Sequence, residues 1–250
     1  MKIAIIGHGR MGKLVEEVAL KRGHKISCVI DVNDTHLFES KEFRESDVAI
    51  EFTTPATAVE GILSCFAAGV PVVVGTTGWN DSIPAIQDMC KQGKGTVFFS
   101  SNFSIGMNLF MSLNRYLAAM MNHFDNYNPR LTEVHHVHKL DHPSGTAVTL
   151  AGELCNIVER LSGWLEKGLG EKSDNWVLPV YHRREGEVPG IHTIEWESEC
   201  DIISMTHEAK NRMGFAQGAV TAAEWLKGRE KGFYTMADML SEATGINNLI

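Results

Sequence analysis

The chain has 250 residues, 44% of them hydrophobic and 22% charged, with 31 acidic against 23 basic side chains and a net charge of -8 at pH 7. That is enough to bury the core of one large domain or two modest ones, and the acidic balance argues against broad phosphate-backbone binding, which needs a basic face. Cys28, Cys65, Cys90, Cys155 and Cys200 are scattered without a C-x-x-C pair, so a disulfide framework or thiolate zinc site is not expected and a reducing cytoplasm is.

The N-terminus enters a strand directly, Lys2–Ile6, without the apolar region and cleavage site of a signal peptide. No run approaches the roughly 20 apolar residues that span a bilayer. A helical segment from Met11 to about Arg22 and a β-branched run, Ile26–Ile30, complete a βαβ unit. The pattern repeats with strands at Val48–Phe52, Val70–Val74 and Thr96–Ser100 and helices at Ala56–Ala68 and Ile83–Gln92. Near-continuous apolar strands alternating with helices predict a Rossmann-like, doubly wound parallel sheet in an α/β protein. After Phe103 the texture changes. Met107 to about Phe124 reads as a long helix, Arg130–His138 as a strand and Thr146–Leu161 as a helix. Alternation between Val177 and Thr206 suggests an antiparallel sheet, and helices return at Gly214–Leu226 and Thr235–Glu242. With no repeat and no low-complexity linker, the two textures read as tightly joined domains.

Gly7-His8-Gly9-Arg10-Met11-Gly12 is a G-x-G-x-x-G motif that follows a predicted strand and opens a helix. In that setting Gly7 permits the tight turn, Gly9 lets backbone approach a pyrophosphate, and Gly12 lets helix and strand pack closely. The helix N-terminus offers unpaired N–H groups to the phosphates. Asp31, closing the second strand, is placed to accept hydrogen bonds from the adenosine ribose. Its carboxylate favours NADH over NADPH, since Val32, Asn33 and Asp34 supply no cation for a 2′-phosphate, although Arg10 or Lys13 could reach one. Two further turns, Gly75-Thr76-Thr77-Gly78 and Ser100-Ser101-Asn102-Phe103-Ser104, follow strands where ligands bind in open α/β sheets. Ordinary turn chemistry accounts for them equally well when they are taken alone.

The stretch Glu133-Val-His-His-Val-His-Lys-Leu-Asp-His-Pro-Ser-Gly-Thr146 gathers histidines, a lysine and a small-residue helix start. If the strand continues, His136 and His138 share one face and His135 the other, while the amides of Gly145 and Thr146 form a carboxylate receptor. Read by itself, the cluster could be a solvated strand edge, a His-x-His metal site lacking evident further ligands, or proton-transfer and anion-binding chemistry beside a nicotinamide.

The stretch resembles the signature E-x-H-H-x-x-K-x-D-x-P-S-G-T-A of the 4-hydroxy-tetrahydrodipicolinate reductase (dihydrodipicolinate reductase) family. The resemblance extends through the Gly-Arg-Met-Gly turn at 9–12, Glu51-Phe-Thr-Thr-Pro, Gly75-Thr-Thr-Gly, Ser101-Asn-Phe-Ser, Arg183…Gly186…Gly190-x-His192 and His207-Glu-Ala-x-x-Arg212-x-x-Phe-Ala-x-Gly-Ala219. It implies that His135 and Lys139 are the catalytic pair, with Lys139 the proton donor, and that His136, Gly145 and Thr146 bind substrate. Cofactor contacts implied are Gly7, His8, Gly9, Arg10, Met11, Gly12, Asp31, Gly75, Thr76, Thr77, Ser100, Ser101, Asn102 and Phe103, with no metal. His142 stands where the family usually has a small alanine. The resemblance also implies a discontinuous nucleotide domain, 1–105 plus 214–250, and an inserted α+β domain of mixed or antiparallel sheet, 106–213, that takes the substrate and assembles a homotetramer.

The reaction so implied is reduction of a cyclic imine dicarboxylate by NADH or NADPH in lysine and diaminopimelate biosynthesis. An imidazole and an ammonium suit the proton transfer that must accompany hydride addition. Rival readings are another dehydrogenase of the aspartate pathway, a non-enzymatic NADH sensor, and a metal hydrolase built on His136 and His138.

Overall fold

A computed structural model describes residues 1–168, 171, 174 and 176–245. Strand β1, Lys2–Ile6, leads through the glycine turn into α1, Arg10–Lys21, and returns as β2, Lys25–Ile30. The short helix α2, Lys41–Arg44, starts where Ser40 Oγ accepts the N–H of Phe43 at 3.1 Å. Next come β3, Val48–Glu51; α3, Pro55–Ala68; β4, Val72–Val74; α4, Ile83–Lys91; and β5, Val97–Phe99. Helix α3 begins with proline behind a Thr54–Thr57 capping box and stops at Gly69, whose φ of 72° suits glycine.

The chain continues with α5, Ile105–Met121; β6, Asn128–His135; α6, Gly145–Ile157; β7, Gly163–Lys167; β8, Val177–Arg184; β9, Gly190–Glu197; and β10, Ile202–Ala209. It ends in α7, Met213–Leu226; β11, Phe233–Thr235; and α8, Met236–Thr244. No described helix is long and apolar enough to cross a membrane. Among the described residues the chain divides into two compact units, one holding Met1–Ile105 with the segment from Met213 to Gly245, the other Gly106–Arg212.

The first unit is built on a six-stranded sheet of order β11-β5-β4-β3-β1-β2 whose pairings are all parallel. After β2 the chain crosses back to lay β3 on the other side of β1, so the winding reverses between β1 and β3. Both faces of the sheet are covered, which explains the continuous apolar strands. Ile3, Val48, Val73 and Phe98 pack with Val15, Val18, Ala219, Val220 and Leu226. Ala4, Ile6, Val72 and Val74 pack with Ile62, Cys65 and Ile86 on the opposite side. Helix α7 lies close because its inner face is small. A Cβ at Gly218 would fall 1.7 Å from the Phe103 carbonyl oxygen.

The second unit carries a five-stranded sheet of order β10-β9-β6-β8-β7. It is mixed. β8 runs parallel to both β6 and β7, while β9 is antiparallel to β6 and β10. The antiparallel arrangement expected across Val177–Thr206 therefore holds for β9 and β10 but not for β8, which is separated from β9 by β6. Alternation along β9 buries Ile194 and Trp196 against Leu131, Leu150, Leu154 and Phe110, and leaves the other face partly exposed. Two short strands, β7 and β11, and helix α2 were not expected from the sequence.

Candidate active site

In the first unit, the turns singled out in the sequence leave the carboxyl ends of parallel strands: the glycine turn after β1, Asp31 after β2, Phe52–Pro55 after β3, Gly75–Thr77 after β4 and Ser100–Phe103 after β5. The reversal between β1 and β3 makes their turns diverge, the place where doubly wound sheets open a ligand crevice. Steric limits fix two of the glycines. Gly7 has φ 85°, and a Cβ there would lie 2.2 Å from the Phe52 carbonyl oxygen. At Gly12 a Cβ would lie 2.0 Å from the Gly7 carbonyl oxygen.

Gly9 differs, since a Cβ there meets nothing within 4 Å. Its missing side chain leaves clear space over the start of α1, whose first turn has neither a capping side chain nor an acidic residue. Unpaired N–H groups, the positive end of the helix dipole and open approach fit the pyrophosphate of a dinucleotide.

A cavity of about 400 Å³ is lined by Gly7, Gly9, Asp31, Phe38, Phe52 and Thr54 among others. A second hollow of about 370 Å³ shares Gly9, Phe52 and Thr53 and adds Arg10, Met11, Gly75, Thr76 and Thr77. These walls bring together most of the cofactor residues expected from the sequence. His8 and Gly12 lie outside them, with His8 Nε2 donating to Glu16 Oε2 at 2.7 Å. Ser100, Ser101, Asn102 and Phe103 line neither hollow. Their turn is bonded to itself, with Ser100 Oγ donating to the Asn102 carbonyl at 2.7 Å and the Ser104 N–H to Asn102 Oδ1 at 2.9 Å. The Phe103 ring is buried in the core, 5.9 Å from both Phe52 and Phe98.

Sequence reasoning gave Glu51 and its neighbours no role. Glu51 is fully buried, and its Oε1 accepts the Thr53 N–H and the Thr76 hydroxyl, each at 2.8 Å. Burial pushes its carboxyl above the usual range against these hydrogen bonds. It fastens the β3 turn to the β4 turn, and the run Glu51-Phe-Thr-Thr-Pro at a strand end was the available signal.

In the second unit, the packed face of the sheet changes character along its length. Leu131 gives way to Glu133 and His135, Val180 to His182, Ile194 to His192 and Met205 to His207. Glu133 pairs in register with His182 and His192, and His192 with His207, so these side chains form one rank across four strands. At the other end of β6, a hollow of about 810 Å³ is lined by residues such as Arg130, Tyr181 and Glu197, with no histidine in its wall.

Glu133 is the centre of the polar end. Fully buried, it accepts the Ser144 N–H on both oxygens at 3.1 Å and the Arg184 guanidinium on Oε1 at 3.3 and 3.4 Å. His135 Nε2 stands 3.5 Å and His192 Nε2 3.7 Å from Glu133 Oε2. Burial alone would raise the carboxyl, but His135 and the Ser144 donors outweigh it and hold it down at about 2. Burial, reinforced by repulsion from His135, pushes His192 down to about 4. Burial also lowers His207. His135 Nδ1 donates to the Pro189 carbonyl at 3.2 Å, and its ring lies over Gly190, where a Cβ would sit 2.8 Å from Cε1.

Strand β6 stops at His135 rather than at His138. Its partner β8 gives out at Arg184, and the backbone then turns, with the Lys139 N–H on the His136 carbonyl and the Val137 N–H on the Gly186 carbonyl, both at 3.1 Å. His136 and His138 are consequently not strand residues on a common face, although their rings are 6.0 Å apart. His138 is exposed and bonded to Glu187 at 3.0 Å. Lys139 Nζ donates to both oxygens of Asp141 at 2.8 Å. Arg184 donates to the carbonyls of Lys139 at 3.2 Å and Asp141 at 2.7 Å, fixing this loop. Helix α6 opens behind it. Ser144 Oγ takes the Ala147 N–H at 3.2 Å, leaving Gly145 and Thr146 as the accessible first turn. Glu133, Ser144, Arg184 and His192 were missed as site residues; Glu-x-His, Ser-Gly-Thr and Gly-x-His stood in the sequence as signals for Glu133, Ser144 and His192, and Arg184 had none.

A glycine turn at the switch point of a doubly wound parallel sheet fits a nicotinamide-dependent oxidoreductase. The family model described as dihydrodipicolinate reductase, N-terminus, matches residues 1–103, and that described as dihydrodipicolinate reductase, C-terminus, matches residues 106–240. The chain belongs to the dihydrodipicolinate reductase family. A curated 4-hydroxy-tetrahydrodipicolinate reductase from Christiangramia forsetii is 43% identical over 242 residues, covering 97% of this chain and 98% of the relative. Among solved structures, a dipicolinate-bound dihydrodipicolinate reductase from Paenisporosarcina sp. TG-14 superposes with a TM-score of 0.77 at 21% identity, covering 94% of this chain and 97% of that one. An engineered D-amino acid dehydrogenase bound to NADP+ gives a TM-score of 0.52 at 15% identity, with 94% and 92% covered. These structural likenesses are likenesses of fold.

Proposed function

We propose that this protein reduces 4-hydroxy-2,3,4,5-tetrahydrodipicolinate to 2,3,4,5-tetrahydrodipicolinate with NADH or NADPH, a step of lysine and diaminopimelate biosynthesis. The observation that carries the reading is the match of both halves of the chain to the family. The open approach at Gly9 supports it. The first unit takes the dinucleotide, Asp31 favouring NADH through the ribose hydroxyls. The nicotinamide, when bound, supplies the hydride.

The chain's own residues do the rest. The amides of Gly145 and Thr146, at the positive end of α6, hold a substrate carboxylate, and His136 contributes to the same task. The 4-hydroxyl first leaves as water to give a conjugated imine, and Lys139 then donates the proton that balances hydride addition to it, exchanging Asp141 for substrate as it does so. His135, oriented by the Pro189 carbonyl and Glu133, serves beside it as the second acid–base group. The second unit also carries homotetramer assembly, and the protein works in the cytoplasm.

The test is a coupled assay in which a synthase makes substrate from pyruvate and aspartate semialdehyde while nicotinamide absorbance is followed with each cofactor. Oxidation that depends on the coupled substrate is expected, faster with NADH. No oxidation with either cofactor, given active synthase and folded protein, would overturn the assignment. Light scattering on the same sample tests the tetramer.

A further inference from the structure

Outside the proposed catalytic residues, three side chains from separate segments meet at the β7 side of the second sheet. His142 belongs to the loop before α6, Glu166 to β7 and His182 to β8. His142 Nδ1 lies 2.6 Å and His182 Nδ1 2.7 Å from the same oxygen, Glu166 Oε1. The two imidazoles stack with centroids 4.5 Å apart at an interplanar angle of 17°. We propose that His142, Glu166 and His182 form a binding site for a divalent transition-metal ion, with zinc as the ion to test.

The three side chains are crowded. Two ring nitrogens press on one carboxylate oxygen, yet only the His142 contact has hydrogen-bond geometry. Among the described residues, His182 Nδ1 is shut away from water and makes no hydrogen bond despite its 2.7 Å contact. A cation among the three satisfies both nitrogen lone pairs and the carboxylate at once. Two imidazoles and one carboxylate are a zinc donor set, with a fourth position left for water.

The required adjustment is small. The three donor atoms already lie within 4.8 Å of one another. Bonds of about 2.0–2.2 Å to the metal place tetrahedral donors roughly 3.3 Å apart. Glu166 therefore withdraws by several tenths of an ångström and the rings fan apart. Side-chain exposures of 50% for His142 and 30% for Glu166 and His182 leave room for that movement and for entry of the ion.

A second set of donor groups, Glu133, His135 and His192, is also close enough to hold an ion. It is a poorer host. The Glu133 carboxylate is already occupied by the Ser144 N–H and by the Arg184 cation. The two sites therefore make opposite predictions. An ion at His142 would tie the loop that carries Lys139 and Asp141 to β7 and β8, adding a clamp next to the Arg184 bonds.

The experiment is titration of the metal-stripped full chain with zinc chloride by calorimetry, together with visible absorption after cobalt(II) addition. One site per chain is expected, with a dissociation constant on the order of 1 μM or tighter. Glu166→Gln and His182→Ala should each weaken binding roughly 100-fold or more, as loss of a ligand does. Melting curves without metal establish that each variant is folded. His142→Ala removes a half-exposed ring and provides a milder variant, in which the cobalt d–d bands of the parent should vanish. No zinc uptake overturns the proposal, as does uptake that these three substitutions leave unchanged.

Discussion

The backbone N–H of Ser144 meets both carboxylate oxygens of Glu133 at 3.1 Å. One buried anion thereby joins the end of β6 to the first turn of α6, and through Arg184 it also secures the loop of Lys139 and Asp141. Glu133→Ala should destabilise the protein by about 1–3 kcal/mol, the cost of leaving the buried Ser144 N–H and the half-buried Arg184 guanidinium without their carboxylate, measured by urea unfolding. The sign with pH follows from the lowered carboxyl. Its stabilisation is complete above about pH 4.5 and is lost as pH falls toward 2. Acid unfolding of Glu133→Gln should be correspondingly less steep over that window. Equal slopes would deny Glu133 this role.

His192 makes a separate prediction. It is held neutral in the fold, down at about 4 from an ordinary 6.5. The unfolded chain takes up its proton first on acidification, so stability is lost as pH falls from 6.5 toward 4. His192→Gln should flatten the dependence of the urea midpoint between pH 7 and pH 5. Its charged and titratable neighbours, Glu133, His135, His207 and Lys139, remain to set the residual slope.

Lys139→Ala should lower kcat by roughly 10²-fold or more, the usual loss for a positioned proton donor. NADH affinity, followed by fluorescence titration, should be unaffected. An unchanged kcat would remove Lys139 from catalysis.

The two glycines flanking Arg10 and Met11 should behave oppositely. Gly9→Ala adds a methyl that touches no protein atom, so the melting temperature should move by no more than about 2 °C. NADH binding should weaken roughly tenfold or more because the methyl occupies the approach to the phosphates. Gly12→Ala forces a methyl to within 2.0 Å of the Gly7 carbonyl and should cost about 1–3 kcal/mol or more of stability.

Asp31→Asn tests cofactor choice. Removing the carboxylate should raise the NADPH/NADH ratio of kcat/KM by roughly tenfold, about 1.4 kcal/mol. A parent enzyme that already prefers NADPH would dispose of the argument.

What the sequence disclosed follows the range of the forces involved. The strand, turn and helix of Lys2–Lys21 were legible because glycine sterics and apolar periodicity act within a few residues. The length of β6 was not, because a strand persists only as far as its neighbour does, and β8 stops at Arg184. Likewise β7 is a half-buried Gly-Trp-Leu-Glu-Lys whose pairing with β8 is decided across the sheet. His135 and Lys139 were drawn from a motif. Glu133 could be given its role only once α6 folded back to present Ser144, 11 residues later.

The discontinuity of the first unit has a consequence for synthesis. Ile3, Val15 and Val18 share a core with Ala219, Val220 and Leu226, which are made much later. When residues 1–100 have left the ribosome, one face of the parallel sheet is covered only by α1. The nucleotide unit thus begins first and closes last, after the uninterrupted second unit has had time to form. Until α7 emerges, that apolar face is the part of the nascent chain most in need of a chaperone.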